Sequence, residues 1–577
     1  MSVLALGLGI FTGCGAAVFR WLIGLVHNLA FLGHWSFLYD TSRFTDPSPW
    51  GAGIILVPMI GGLVVTFLIV NFAPEARGHG VPEVMDAIFY KKGVIRPIVA
   101  AVKSVASAIA IGTGAAVGRE GPIIQIGSAF GSTLGQRLRM APNQCVVLVA
   151  AGAGGGIAAT FNTPIGGVMF ALELMMTEIS ISTFVPVAIA TAAATYVGRA
   201  LLGSAPAFYV PPLPPLATSL HVVGELCLFV LLGVIIGLAS GAFVRGLYLS
   251  EKIFLRVKNS YVRHMIGMLM MGLLIYGFYV FAGHYYVEGV GYAMIQALLS
   301  GHLAPGLGEG AFIGLLLLFF VAKLFATCVC LGSGSSGGIF SPSLFMGAAL
   351  GAGLAVVLHL FHLLPDSQII SFAMVGMAGM VAGGTGAAMT AVTMIFEMTR
   401  DYSIVIPMII TVAVAMGVRR LITSETLYTI KLVNRGHPIP SAMQSNSFLV
   451  RHAADIMDRR FQVLSITDTT AALIQTSAVL LTDTKGCLKA VLPPQIVWGQ
   501  GNESAPLSEL ASSKFIVVAA QEISYHIIQR MWETEAVMAI VCSRPSATPQ
   551  REDILGIITK DQVADSVADT VMGFAST

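Results

Sequence analysis

Charge is what this sequence has least of. Asp, Glu, Lys and Arg make up only 11% of its 577 residues, while 55% are hydrophobic. Soluble chains carry about 25% charged residues, so an ordinary soluble protein is excluded and the lipid bilayer is the expected surroundings. The net charge is only +2, which leaves no basic excess for a nucleic-acid partner. The cysteines (Cys14, Cys145, Cys227, Cys328, Cys330, Cys487 and Cys542) are odd in number and form no spaced framework, against a disulfide scaffold. No metal site is expected. The apolar N-terminus lacks a basic n-region, so it reads as a first membrane helix rather than a cleaved signal. No Gly-Lys-Ser/Thr follows the glycine run at 332–338, against a phosphate-binding enzyme; the protein does not read as an enzyme.

What is present is a series of apolar segments. Residues 3–32 are long enough to cross a bilayer of about 30 Å hydrocarbon thickness at an angle. A polar loop at 33–50 and a second span at 54–72 follow. From 78 to 200 the apolar pieces are interrupted by Gly and Pro, as half-helices and tilted helices packed through small residues would be. A Pro-rich loop at 206–216 precedes a second hydrophobic half that begins at His221. Its first connection carries Arg245, Lys252, Arg256, Lys258 and Arg263 against Glu251, which places it in the cytoplasm by the positive-inside rule. Spans at 265–282 and 312–330 lead to another broken, Gly-rich zone. Broken segments at corresponding places suggest two inverted repeats with a site between them, on pattern alone and without residue-level identity. The membrane part ends near Leu421, with a final helix at 423–435. After Pro438 the composition turns polar. Strands are expected at 461–466, 515–520, 537–542 and 554–559, with helices at 452–459 and 523–533, making two similar α+β units.

The most informative stretch is Gly118-Arg119-Glu120-Gly121-Pro122. It sets a guanidinium and a carboxylate at membrane depth, where ionisable groups are costly and are functional candidates by default. The alternative is a pair that only staples two helices. Two similar turns are Gly78-His79-Gly80-Val81-Pro82 and Gly337-Gly338-Ile339-Phe340-Ser341-Pro342. Each ends in Pro, which suits the first helical position. Each therefore predicts a helix start whose free N–H groups and positive dipole end can hold an anion.

GHGVPE, GREGP and GGIFSP, in this order, resemble the signature motifs of the CLC family of chloride channels and proton-coupled chloride exchangers. Lys103, fifteen residues before Gly118, and the closing stretch around Tyr428 fit as well. The resemblance covers about residues 1–436. It implies an all-α polytopic membrane protein, an inverted repeat of about seventeen tilted and broken helices, and a homodimer with one pore per subunit. By position, Glu120 would be the gating glutamate, a tethered competitor that occupies an anion site until protonated. His79, Gly80, Gly121, Ile339, Phe340 and Tyr428 would line the anion sites, with chloride as the bound ion. Lys103 and Arg119 would set the pore's potential, or act as structural counter-charges. His79 stands where the family usually has Ser. Either its imidazole N–H donates to the central anion or the ring turns away, and fluoride or nitrate stays open beside chloride. Leu174 falls where exchangers carry an internal proton-handling Glu, after Glu173, which matches a structural acid. Leu cannot carry a proton, so the reading leans to a channel; the alternative is an exchanger with another proton route. Glu178 lies a turn further on.

Residues 437–577 resemble a pair of CBS modules, about 445–500 and 510–577, the first shortened between Thr469 and Leu488. Such pairs often bind adenine nucleotides through Thr and an Asp three residues later. Here Thr559 is followed by Asp561, and Gln562 takes the expected Asp place, so a purely structural role stands beside nucleotide binding. No cofactor is required. A rival reading, a nucleotide sensor anchored by the membrane part, leaves Arg119 and Glu120 unexplained. The expected location is a bacterial plasma membrane, with the C-terminal region cytoplasmic.

Overall fold

The computed structural model describes all residues except 177–179, 212–220, 304–305, 366–367, 438, 440–451, 474–477, 493–505, 523, 547 and 566–577. Glu178 thus lies outside the described residues. The chain divides into two compact units, Met1–Ile439 and Pro440–Thr577.

The first unit is helical. Its first half holds α1 (Ser2–His27), α2 (Leu56–Phe72), α3 (Val81–Tyr90), α4 (Ile98–Gly112), α5 (Glu120–Arg137), α6 (Pro142–Phe161), α7 (Pro164–Phe170) and α8 (Ile181–Leu202). Its second half holds α9 (His221–Phe254), α10 (Ser260–Ala282), α11 (Tyr292–Leu299), α12 (Glu309–Ser333), α13 (Phe340–Leu360), α14 (Ile369–Thr385), α15 (Ala388–Thr399) and α16 (Val405–Ile422). The short α17 (Thr429–Asn434) closes the unit. Among the described residues, nine helices are long and apolar enough to cross a membrane. The final helix is shorter than the pattern at 423–435 suggests, because Thr423 is extended and ends α16.

The two halves match residue by residue in their supports, which the sequence pattern does not reveal. Lys103 on α4 is fully buried, and its Nζ donates to Ala76 O at 2.9 Å and Gly78 O at 2.7 Å. Lys323 on α12 is equally buried and donates to Val287 O at 2.9 Å and Gly289 O at 2.8 Å. Each lysine precedes its turn glycine, Gly118 or Gly338, by the same spacing. Each holds the carbonyls just before a short helix whose cap is a glycine of positive φ, Gly80 (82°) for α3 and Gly291 (80°) for α11. A buried ammonium is tolerated only when its protons are bonded.

The acids pair the same way. Glu173 accepts from the Met389 and Thr390 N–H groups at 3.2 and 2.9 Å, at the start of α15. Glu397 on α15 accepts from the Ile165 and Gly166 N–H groups at 3.1 and 2.7 Å, at the start of α7. Each half thus caps a helix of the other. Close crossings follow the same rule. A side chain on Gly127 (α5) would strike the Gly152 carbonyl of α6, and one on Gly347 (α13) the Gly376 carbonyl of α14. Small residues let these backbones touch.

The second unit contains two three-stranded sheets of identical topology. In one, β1 (Gln462–Ser465) runs parallel to β2 (Val479–Thr482), which is antiparallel to β3 (Leu488–Leu492). In the other, β4 (Phe515–Ala519) is parallel to β5 (Met538–Cys542), which is antiparallel to β6 (Ile554–Thr559). Both central strands shift register near their ends, between Leu481 and Thr482 and between Val541 and Cys542. Sequence reading finds β1, β4, β5 and β6 but not β2 and β3. The helix expected at 452–459 shrinks to α18 (Ala453–Ile456), because Met457 is extended and Asp458 bridges to Ile557.

Candidate functional site

The three glycine-bounded turns meet. Gly118 and Gly338 exchange two backbone hydrogen bonds, N to O at 2.7 Å and at 2.5 Å. Gly78 donates to Ser335 O at 3.1 Å and accepts from Gly337 N at 3.3 Å. Contact is too close for side chains: a Cβ on Gly121 would strike the His79 carbonyl and lie 3.2 Å from Gly338 Cα. One on Gly80 would lie 2.9 Å from both Gly121 O and Gln125 Oε1. Ser336 Oγ bonds Ser107 Oγ at 2.9 Å and Ala76 O at 2.7 Å, fastening the third turn to α4 and the first turn.

The prolines sit deeper than the first helical position. Val81, Glu120 and Phe340 already begin α3, α5 and α13, so Pro82 is second and Pro122 and Pro342 are third. This is permitted because the first four N–H groups of a helix have no partner within it. The starts of α3, α5 and α13 therefore lie together, each with N–H groups that its own helix cannot pair, an arrangement suited to an anion.

Glu120 occupies that place. It is 1% exposed, and its side chain folds back from α5 towards α13. Its Oε1 accepts from the Ser341 hydroxyl, and from Tyr292 Oη at 3.1 Å; Tyr292 Oη and Ser341 Oγ lie 2.8 Å apart. Oε2 lies against Gly118 and Gly338 and has no hydrogen-bond partner among the described residues. Arg119 caps α5, and its guanidinium stacks 5.3 Å from the Tyr292 ring centre and 5.6 Å from that of Phe161. It does not pair with Glu120, so the stapling alternative receives no support.

Deeper in the first unit, His79 (2% exposed) faces Tyr428 (2% exposed), their ring centres 5.7 Å apart. His79 Nδ1 is buried without a partner among the described residues. Ile339 caps α13 and Phe340 begins it, both buried. Lys103 touches the first turn only through backbone carbonyls. Leu174 lies half-buried in a π-turn (Ala171–Met175) after α7, beside the Glu173 that is spent on α15.

A cavity of about 510 Å3 reaches Gly78 and Gly334. Arg77, Arg263, Lys431 and Arg435 line it, opposed by Glu83 and Glu251. Glu83 on α3 binds Lys431 at 3.1 Å and Arg435 at 2.6 Å, which ties α17 to the first turn. The cavity borders Ser260 at the start of α10, next to the connection whose basic residues mark the cytoplasmic side.

Sequence reading misses Tyr292, Ser341 and Lys323. Ser341 lies inside a recognised motif. Tyr292 follows a fourth glycine-bounded turn, Gly289-Val290-Gly291, that carries no Pro. Lys323 repeats the spacing of Lys103.

In the second unit, Thr559 and Gln562 lock each other. Gln562 Oε1 accepts from Thr559 N at 2.8 Å, and Gln562 N donates to Thr559 Oγ1 at 3.3 Å, a reciprocal helix cap. Both side chains face the backbone, while Asp561 is exposed on the same turn.

Residues 61–420 match the family model described as voltage gated chloride channel. The H(+)/Cl(-) exchange transporter ClcA of Vibrio cholerae serotype O1 (strain ATCC 39315 / El Tor Inaba N16961) is 32% identical over 369 residues, 63% of this chain and 75% of that protein. ClcA of Yersinia pestis bv. Antiqua (strain Angola), named likewise, is 31% identical over 392 residues, 66% and 77%. Among solved structures, a slow cyanobacterial Cl-/H+ antiporter superposes with a TM-score of 0.63 at 24% identity, covering 75% of this chain and 97% of that one. A eukaryotic CLC transporter superposes with a TM-score of 0.59 at 18% identity, covering 97% of both chains. At these identities the superpositions establish the fold.

Proposed function

The chain belongs to the voltage gated chloride channel (CLC) family, an integral membrane protein of anion transport, and we propose that it works as a proton-coupled chloride exchanger gated by Glu120. The observation that carries this is the position of the Glu120 carboxylate. It sits buried where three helix starts converge, held by Tyr292 and Ser341. A carboxylate in an anion's place leaves when protonated and returns when the proton is lost, which makes proton and anion alternate. The curated relatives named above are H(+)/Cl(-) exchange transporters, and that supports exchange over a channel.

The central anion is assigned to the backbone N–H groups of Ile339 and Phe340, the Tyr428 hydroxyl and the His79 ring, with Gly80 and Gly121 giving the close approach. His79 keeps fluoride and nitrate open as cargo. Lys103 and Arg119 act through potential and support, without touching the ion. A channel remains the second reading, on one observation: Leu174 offers no proton site and Glu173 is committed to α15. Proteoliposomes decide between them. A chloride gradient is expected to drive protons uphill; chloride movement with no proton movement establishes the channel.

A homodimer with one pore per subunit and a bacterial plasma membrane are part of the same proposal, on family resemblance. The twin sheets support reading the second unit as a CBS-like pair, and the Thr559–Gln562 cap favours a structural role for it. Adding ATP or ADP to the full-length protein is expected to leave its melting temperature unchanged. A nucleotide-dependent rise would overturn this.

A further inference from the structure

A second cluster of ionisable groups lies at the far end of α10 from the basic cavity. It joins α1, the loop after it and the turn before α11. His27 on α1 is 3% exposed, its ring stacked between Tyr39 (centres 3.8 Å apart) and Phe31 (4.9 Å). His27 Nε2 lies 3.2 Å from Thr45 Oγ1 and 3.7 Å from Glu288 Oε1. The Thr45 hydroxyl donates to Glu288 Oε1. A hydroxyl has one proton, so with that proton on Glu288, Thr45 accepts from His27 Nε2–H. His27 Nδ1 and Glu288 Oε2 are then left over, and both are buried without partners among the described residues. Buried polar atoms are mostly bonded, so two idle ones within a single cluster of ionisable groups mark it out.

This cluster is connected to the gate. Glu288, Thr45 and Tyr39 line a cavity of about 20 Å3 that Tyr292 also lines. That volume holds about one water. Tyr292 is the residue that donates to Glu120 Oε1, at 3.1 Å. The basic cavity borders the start of α10 (Ser260), while this one is lined by Tyr285 and Tyr286, just beyond its end at Ala282. The two cavities therefore belong to opposite faces of the membrane, and the small one to the outer face. Glu288 also holds the place in the second half that Arg77 holds in the first, immediately before the lysine-bound glycine. One mouth carries a cation there and the other an acid.

Other charges face the cluster. Lys323 Nζ holds the carbonyls on either side of Glu288. Arg43 lines the small cavity, Asp40 and Arg20 flank the loop and α1, and Arg119 stacks on Tyr292. Tyr285 and His284 complete the neighbouring turn.

We propose that Glu288, with His27 and Thr45, is the outer proton-loading site for Glu120, passing protons through the small cavity and Tyr292. In the transfer, the Tyr292 hydroxyl gives its proton to the Glu120 carboxylate and takes one from the cavity side, so that no O–H bond is lost overall. Protons enter from outside at Glu288, whose side chain is 12% exposed against 4% for His27. The proposal rests on the exchanger reading for its direction, but not for its test.

The test varies outer pH at clamped inner pH, and the reverse, while recording chloride and proton flux in oriented proteoliposomes. Glu288→Gln is expected to lose about three-quarters or more of the outer-pH dependence of chloride flux and to keep the inner-pH dependence. Its proton flux should fall about a hundredfold, the lower end of the scale on which one positioned proton-transfer group acts. Thr45→Val, which keeps volume and removes the link, should give a partial version of the same change. An outer-pH curve unchanged in both variants overturns the proposal. If wild type moves chloride with no protons, the exchanger reading fails, and the outer-pH arm still reports on the cluster.

Discussion

Glu120→Gln is expected to give chloride flux that no longer depends on pH, and to reduce proton movement by roughly a hundredfold or more, the scale on which a positioned proton-transfer group acts. Gln has the length of Glu, and its carbonyl oxygen can accept from Tyr292 and Ser341, the two hydroxyls that hold the carboxylate. The junction should therefore keep its shape. What goes is the ionisation. A neutral amide cannot serve as the resident anion over the starts of α5 and α13, and it cannot deliver a proton. The measurement is chloride efflux at about pH 4 and about pH 7, which bracket the ordinary glutamate value of about 4.3. A slope equal to wild type would remove Glu120 from the gate.

Lys103→Met is expected to cut chloride turnover by about tenfold or more and to lower the melting temperature. The loss leaves Ala76 O with only the Ser336 hydroxyl and Gly78 O with only the long bond from Gly337 N. A hydrogen bond to a charged group contributes about 1.5–3 kcal/mol. The effect spreads because Gly78 is bonded to Ser335 and Gly337, so loosening the first turn loosens the third. Lys323→Met provides the comparison. It should destabilise to a similar extent but act on the Gly289 turn and α11, and thus on Tyr292. Wild-type flux in Lys103→Met would mean that the turn is held by its neighbours alone.

Much of this site was legible in the sequence because its chemistry is carried by backbone. Glycine and proline at a helix start are visible as letters, and three such starts in an apolar chain point to an anion. Glu120, His79 and Tyr428 stand where the motifs place them. Tyr292 was not legible, because its role depends on which helix its turn faces. Ser341 could have been read, since a hydroxyl beside a buried carboxylate is a natural donor. The internal repeat was legible only as a pattern of broken segments because the halves share jobs more than letters: Lys103 and Lys323 hold carbonyls in unlike surroundings, and Glu173 and Glu397 cap each other's helices across the pseudo-symmetry. In the second unit β2 and β3 were missed for want of a polar alternation, since Val479, Leu480, Leu481 and Thr482 are all buried.

The account rests on one statement, that Glu120 and the transported anion compete for the place where the three helix starts converge. Crystals of Glu120→Gln grown in bromide test it by anomalous scattering. A bromide peak is predicted at the starts of α5 and α13, where the wild-type carboxylate lies, with a second near Ile339, Phe340 and Tyr428. Bromide at neither place, in a variant that still moves chloride, would contradict it.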